Sequence, residues 1–156
     1  MNAATTSPGT ESLRVFRVLR RIRFSDCDPA GIVFYPQYFV LFNALVEDWF
    51  NEALGIEYAA FIRERRVGLP TVKISSDFLL PSRIGERLAM GLAVTRMGRR
   101  SLVLSIDGSS GGEERLRTEQ VLVTTSLDTH RSIEIPADLR ARIARFGVSG
   151  EEGEAQ

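Results

Sequence analysis

Residues 24 to 38 read Phe24-Ser25-Asp26-Cys27-Asp28-Pro29-Ala30-Gly31-Ile32-Val33-Phe34-Tyr35-Pro36-Gln37-Tyr38. Asp, Pro and Gly crowd the first half, which marks a turn, and Pro36 suits the first turn of a helix, where a missing N–H costs nothing. A loop rich in carboxylates thus feeds the start of a helix. The free N–H groups at such a start, with the positive end of the helix dipole, stabilise negative charge on a substrate oxygen. A carboxylate and an oxyanion-binding helix terminus within ten residues are parts of an acyl-transfer site. The competing reading makes Asp26 and Asp28 turn formers ahead of Pro29.

Upstream, Arg14 to Phe24 alternates: Phe16, Val18, Ile22 and Phe24 share one parity while Arg17, Arg21 and Arg23 fill the other, the pattern of a half-buried strand. Downstream, Tyr38, Leu41, Phe42, Leu45, Trp49 and Ala53 recur at helical spacing. Phe39, Val40, Val46 and Phe50 are apolar too, leaving a narrow polar stripe of Asn43, Glu47, Asp48, Asn51 and Glu52. This helix must be covered on most of its circumference. Gly55 is a suitable C-cap, and Glu57 to Arg66 returns the chain as a helix or turn.

From Leu69 onward the period is two. Val72 and Ile74 form one set, Leu88, Met90, Leu92 and Val94 a second, Leu102, Leu104 and Ile106 a third, and Val121, Val123 and Thr125 a fourth. The breaks at Pro81 to Gly85, Gly98-Arg99-Arg100 and Gly108 to Gly112 suit antiparallel connections. Ile133 and Ile135 precede Pro136 and a short helix, Ala137 to Phe146. The expected fold class is α+β, strand, helix, then four strands, with a five-stranded antiparallel meander curled about the long helix. The other face of that sheet stays bare, so oligomerisation is expected. Residues 1–12 and 147–156 are expected to be flexible tails around a single domain over 13–146, the second tail being Gly-rich and acidic.

Composition narrows the chemistry. With 44% hydrophobic residues in 156, one core is expected, and 20 acidic against 20 basic side chains disfavour a nucleic-acid platform or a polybasic membrane anchor. No stretch reaches the roughly 20 apolar residues of a membrane span and no signal-peptide pattern opens the chain, so a cytoplasmic location is expected. Cys27 and His130 are the only residues of their kinds, too few for a typical zinc site, an internal disulfide or a choice of imidazole triads. No metal or cofactor is expected, and a carboxylate is the reagent at hand.

Asp26 to Val33, D-C-D-P-A-G-I-V, together with Tyr35-Pro36-Gln37-Tyr38, resembles the signature of the 4-hydroxybenzoyl-CoA thioesterase family of the hotdog fold. The order of elements agrees over about Arg14 to Pro136. The resemblance implies an acyl-CoA thioesterase of aryl or short acyl esters, such as arise in aromatic degradation. Coenzyme A would enter only as part of the substrate. It also implies a homotetramer of two hotdog dimers with its site at a subunit interface. By the same resemblance Asp28 is the catalytic carboxylate and the backbone N–H of Tyr35 polarises the thioester carbonyl. A thiolate leaves readily, so a nucleophile or base and an oxyanion donor suffice. Asp28 either attacks the carbonyl to give a mixed anhydride or deprotonates water.

Other residues carry paired readings. Glu47 is a second candidate carboxylate or a solvated interface charge. Asn43 falls where the best-known branch of the family has an Asp that recognises a phenolic hydroxyl, so it disfavours a 4-hydroxy group, or else it satisfies polar neighbours in the core. Arg99, Arg100 and Ser101 form a basic tip that the resemblance sets against the nucleotide of coenzyme A, or a solvated hairpin end. Phe34, Tyr38, Leu69 and Val72 line an aromatic pocket or serve as core. Asp26 reads as a turn or capping residue, Cys27 as a small buried residue rather than a nucleophile, and His130 as a surface residue. A hotdog hydratase or dehydratase pairs a His with a carboxylate, and His130 lies far along the chain. A non-catalytic acyl-CoA binding module would leave Asp28 without a task.

Overall fold

The computed structural model describes residues 14–149. The segment 1–12 and residues 150–156 of the expected C-terminal tail lie outside the described residues. Alternation makes β1 (Phe16–Arg21), whose Phe16, Val18 and Arg20 turn inward. A 3-10 turn at Phe24–Asp26 and the Asp28 loop then lead into α1 (Tyr35–Asp48), which continues as a π-helical segment, Trp49–Leu54. A short α2 (Tyr58–Arg63) follows, and then β2 (Val67–Gly68) and β3 (Thr71–Phe78). The long strands β4 (Arg87–Met97), β5 (Ser101–Ser110) and β6 (Glu113–Val123) come next, with β7 (Thr125–Ser126) and α3 (Ala137–Phe146) closing the order.

The five long strands form one antiparallel sheet in the order β1-β4-β5-β6-β3, and β2 pairs with β7 in a small second sheet. This is the expected hotdog architecture, with one correction. β3 and β4 are not hairpin neighbours: β3 pairs with β6, Ser76 opposite Thr118, at the far edge of the sheet from β1. Residues 79 to 86 are therefore a crossover that carries the chain from one edge strand to β4 beside the other. Pairing at this distance leaves no local mark in the sequence.

The buried face of α1 and its π-helical continuation carries Phe42, Leu45, Trp49 and Phe50, each 0% exposed, against Leu88, Met90, Leu92, Leu102, Leu104 and Ile106 of the sheet. Each such side chain contributes roughly 1.5–3 kcal/mol by leaving water. Ala53, expected on this face, is exposed, and Leu54 is buried in its place. The wider π turn moves the inward position one residue later. The helix is not wrapped all round: Val40, Asn43, Glu47 and Asn51 form an outer stripe left bare by this chain.

The core face of β6 also differs from expectation. Leu116, Thr118, Gln120 and Leu122 point inward, and Val121 and Val123 lie on the other face. Period-two reading chose the wrong parity because two inward residues are polar. Both have partners on β3: the Thr118 and Ser76 hydroxyls lie 2.8 Å apart, and Gln120 Nε2 donates to Thr71 Oγ1 at 2.7 Å. A bulge between Thr71 and Lys73 lets Thr71 and Ile74 face the same side. The turn after β5 is Gly111-Gly112, both at positive φ, so the strand extends through Gly108 to Ser110. Of the segment read as a C-terminal tail, Val148 bridges to Val94 and the Ser149 N–H donates to the Val94 carbonyl at 3.0 Å.

Candidate active site

The Asp28 loop is tied down at both ends. The Asp26 carboxylate, 8% exposed, accepts the Arg23 N–H at 2.8 Å, and its carbonyl accepts the Phe34 N–H at 2.9 Å. Asp26 is thus the cap it was expected to be. Val33 N–H donates to the Ser82 carbonyl at 2.9 Å and Ile84 N–H to the Gly31 carbonyl at 3.0 Å, which lays the loop against the crossover. Gly31 holds φ +76°, a conformation that costs a side-chain-bearing residue, and so closes the turn that aims Asp28.

Asp28 is half-buried at the head of that turn. Its backbone N–H donates to the Ile32 carbonyl and its carbonyl accepts the Gly31 N–H, both at 3.0 Å. Oδ1 accepts the Ala30 N–H at 2.8 Å, while Oδ2 has no protein partner among the described residues. The turn-former reading and the reagent reading are therefore compatible: one oxygen orients the carboxylate and the other is available.

The start of α1 supplies the second group. Phe34 is extended, at φ −69° and ψ 121°, and caps the helix without a side-chain hydrogen bond. In the first turn Pro36 has no N–H, and the Gln37 N–H donates to the Phe34 carbonyl at 2.8 Å. No group among the described residues accepts the Tyr35 N–H. It is the donor left over for an oxyanion, at the positive end of a 14-residue helix.

Beside these groups lies a cleft of about 320 Å³, lined by Ile32, Val33, Tyr35, Tyr38 and the run Phe78 to Pro81. Tyr38 stacks on Phe78 with ring centroids 5.5 Å apart, and Tyr35 tilts against Phe78 at 6.1 Å. Burial pushes the Tyr38 phenol up, an effect that nearby Ser82 and Arg115 partly offset. Of the residues assigned to an aromatic pocket, only Tyr38 lines this cleft. Phe34 and Val72 are exposed elsewhere, and Leu69 packs at the edge of the core. Phe78 and Leu80 were missed, although three apolar residues in a row after the polar Ser75-Ser76-Asp77, Phe78-Leu79-Leu80, are the signal that could have found them.

Arg115, whose side chain is 9% exposed, holds the crossover wall in place. It pairs with Glu86 at 2.9 Å and donates to the Pro81 carbonyl, while its own carbonyl accepts the Leu79 N–H at 2.8 Å. Cys27 donates to the Arg23 carbonyl at 3.4 Å, and partial burial, then Asp26 and Asp28, push its thiol up, which opposes a nucleophilic role.

The remaining candidates lie apart. Along α1, Asn43 and Glu47 are roughly 12 and 18 Å from Tyr35 at 1.5 Å per residue, exposed on the outer stripe. Glu47 sits near Tyr58, whose phenol is pushed up by burial and then by Glu47. The basic tip is clamped: Gly98 N–H donates to Ser101 O at 2.8 Å, and Arg140 Nη2 donates to Gly98 O at 2.6 Å. Arg99 is engaged by Glu134, whereas among the described residues the Arg100 guanidinium hydrogen-bonds only the Ser132 hydroxyl, at 3.2 Å. The Asp28 loop abuts residues 82 to 86, just before Arg87, and the tip follows Met97, so the length of β4, roughly 30 Å, separates them. His130 is exposed in the turn after β7 and joins none of these groups.

Comparison with known proteins agrees with this fold. Residues 22–143 match the thioesterase-like superfamily. The chain is 30% identical over 133 residues to the 4-hydroxybenzoyl-CoA thioesterase of Pseudomonas sp. strain CBS-3, covering 80% of this chain and 94% of that enzyme. It is 36% identical over 85 residues to a 1,4-dihydroxy-2-naphthoyl-CoA hydrolase of Synechococcus elongatus, 54% of this chain and 62% of that one. Among solved structures, the Pseudomonas thioesterase superposes with a TM-score of 0.73 at 28% identity, covering 83% of this chain and 99% of that one. A Synechocystis 1,4-dihydroxy-2-naphthoyl-CoA thioesterase superposes at 0.75 with 22% identity, covering 83% and 96%, a likeness of fold. With a matched span that takes in the whole Asp28 loop, α1 and four strands of the five-stranded sheet, the chain belongs to the thioesterase-like superfamily.

Proposed function

We propose that this protein is an acyl-CoA thioesterase that hydrolyses an aryl or short acyl-CoA ester to the free acid and coenzyme A. The observation that carries the reading is an oriented carboxylate followed closely by a helix start, Asp28 Oδ2 and the Tyr35 N–H both lacking a partner among the described residues. The relatives named above, which act on 4-hydroxybenzoyl-CoA and 1,4-dihydroxy-2-naphthoyl-CoA, support the thioester class.

The Tyr35 N–H donates to the carbonyl oxygen and stabilises the negative charge that develops there as a tetrahedral centre forms. Asp28 Oδ2 either adds to the carbonyl carbon, expelling the thiolate and leaving an anhydride that water opens, or takes a proton from the attacking water. The thiolate needs no strong acid to leave. Arg100, with Ser101 beside it and no carboxylate in salt-bridge range among the described residues, is the cation for the nucleotide phosphates, and Arg99 is partly spent on Glu134.

The roughly 30 Å between loop and tip exceeds the reach of a pantetheine arm. Asp28 and Arg100 of one chain therefore serve different substrate molecules, and a working site draws on two copies. The bare outer stripe of α1 with Asn43 and Glu47, and the exposed edge strand β3, are the surfaces available to a second copy, consistent with a homotetramer built from dimers. Asn43 and Glu47 then reach substrate only across that boundary.

The test is thiol release by Asp28→Asn and by Arg100→Ala protein, alone and after the two are unfolded and refolded together. Each alone should be impaired, and co-refolding should restore a fraction of wild-type turnover. Near wild-type turnover by Asp28→Asn would remove Asp28 from the chemistry; impaired parents with no recovery on mixing would remove the shared site.

A further inference from the structure

We propose that the basic tip between β4 and β5 is the docking site of the chain's own acidic segment, Glu151-Glu152-Gly153-Glu154, which holds the tip until a phosphate-bearing ligand displaces it. Competition with coenzyme A rests on the thioesterase reading; the docking itself does not.

The first support is the direction in which the chain runs at Ser149. β1 pairs with β4 only as far as Phe16 opposite Leu92. At Val94 its place on that edge is taken by the C-terminal segment: Val148 bridges to Val94 in the parallel sense, and the Ser149 N–H donates to the Val94 carbonyl. Past this point no strand among the described residues pairs with the same edge of β4, so Thr95 to Met97 leave it open to a further strand. A parallel segment advances along that edge toward Gly98-Arg99-Arg100.

The distance is short. α3 sets out beside the tip, where the Ile135 N–H donates to the Arg99 carbonyl, and after ten helical residues Gly147, at φ +119°, turns the chain onto β4. Ten helical residues span roughly 15 Å, and the four steps from Val94 to Gly98 roughly 13 Å. Extended chain after Ser149 would therefore bring Glu151 level with the end of β4, and Glu152 and Glu154 to the tip.

The second support is charge. β4 carries Arg96 near its end, the tip adds Arg99 and Arg100, and Arg140 of α3 donates to the Gly98 and Arg99 carbonyls. Among the described residues, Glu134 is the one carboxylate in salt-bridge range of any of these four, and it pairs with Arg99. Its carboxyl is held below the usual range first by Arg99, with Arg100 and Arg140 adding to the effect, so a single anion serves a field of several cations. Four guanidinium groups less one carboxylate leave three positive charges, and the segment brings three glutamates. Exposed pairs are individually weak and screened by salt, but a short tether presents them at roughly millimolar effective concentration.

The test sets wild type beside the full chain carrying Glu151→Gln, Glu152→Gln and Glu154→Gln. The probe is adenosine 3′,5′-bisphosphate, which has phosphates and no thioester. Backbone amide spectra are recorded without ligand, and the bisphosphate is titrated calorimetrically at low and high salt. Removing the three charges should shift the amides of Gly98 to Ser101 and tighten bisphosphate binding about three- to tenfold at low salt, a gap that closes as salt rises. In an Arg99→Ala, Arg100→Ala background the same substitutions should change the affinity less than about twofold. An effect there as large as in the wild-type background would be long-range charge rather than docking, and overturns the proposal. So do tip amides that stay in place, or an affinity within about 1.5-fold of wild type at low salt. Moving tip amides in a protein that does not bind the bisphosphate would leave the docked segment standing and remove the phosphate role of Arg100 from the thioesterase reading.

Discussion

Replacing Tyr35 by Pro deletes one N–H and leaves the backbone path intact. Proline requires φ near −65°, which the first helical residue already adopts, and requires an extended residue before it, which Phe34 is at φ −69° and ψ 121°. The lost N–H has no protein acceptor, so no internal hydrogen bond is broken. Tyr35→Ala is the control, since it removes the same ring and keeps the donor. Against that control, Tyr35→Pro should melt within about 2 °C, a change within ±0.5 kcal/mol. Its kcat should nevertheless fall roughly 100- to 1,000-fold, the cost of about 2.7–4 kcal/mol that follows loss of one oxyanion donor. The assay is steady-state thiol release on a good aryl-CoA substrate, with thermal melts on the same samples. A folded Tyr35→Pro protein turning over within threefold of Tyr35→Ala would show that the helix start does not hold the carbonyl oxygen.

Three further outcomes are expected. Because Arg99 is already engaged by Glu134 and Arg100 is not, Arg100→Ala should raise KM for a full CoA ester about tenfold more than for its pantetheine analogue, while Arg99→Ala should not; equal losses for both esters would remove the phosphate role. Burial, Asp26 and Asp28 hold the Cys27 thiol up, so at pH 8 less of it is thiolate than in a free thiol and iodoacetamide should label it slowly. Asp28→Asn removes one of those charges and should speed labelling; an unchanged rate would mean that Asp28 is not ionised beside it. Arg115→Met strands Glu86 and frees the crossover, at a cost of about 3 kcal/mol, or roughly 6–12 °C in Tm. A drop under about 2 °C would show that Arg115 does not staple that wall.

What could be read in advance was what the chain does locally. The alternation of Phe16 and Val18 with Arg17, the helical spacing from Tyr38 to Trp49, and the Gly98 tip are each written within a few residues, and each is found in place. The turn that aims Asp28 was legible for the same reason, since Asp28, Ala30 and Gly31 make its bonds among themselves. What escaped depended on partners far along the chain. Gln120 is inward because Thr71 meets it, β3 lies beside β6, and the Arg99 guanidinium is occupied by a residue 35 positions on. The cleft escaped because its two walls, Ile32 to Tyr38 and Phe78 to Pro81, come together only through the bonds between Val33 and Ser82 and between Ile84 and Gly31.

The strand order also has a consequence in time. β1 pairs with β4, Phe16 opposite Leu92, so the first strand to leave a ribosome finds its neighbour only after more than seventy residues have followed it. Until then α1 exposes Phe42, Trp49 and Phe50 with no sheet to cover them, and the Asp28 loop has no Ser82 or Ile84 to hold its shape. Closure over such a separation is slow compared with helix formation. A nascent chain stalled before residue 87 should therefore bind holdase chaperones through α1 and be cut readily by protease within residues 26 to 34, and both should cease once β5 is available to pair with β4.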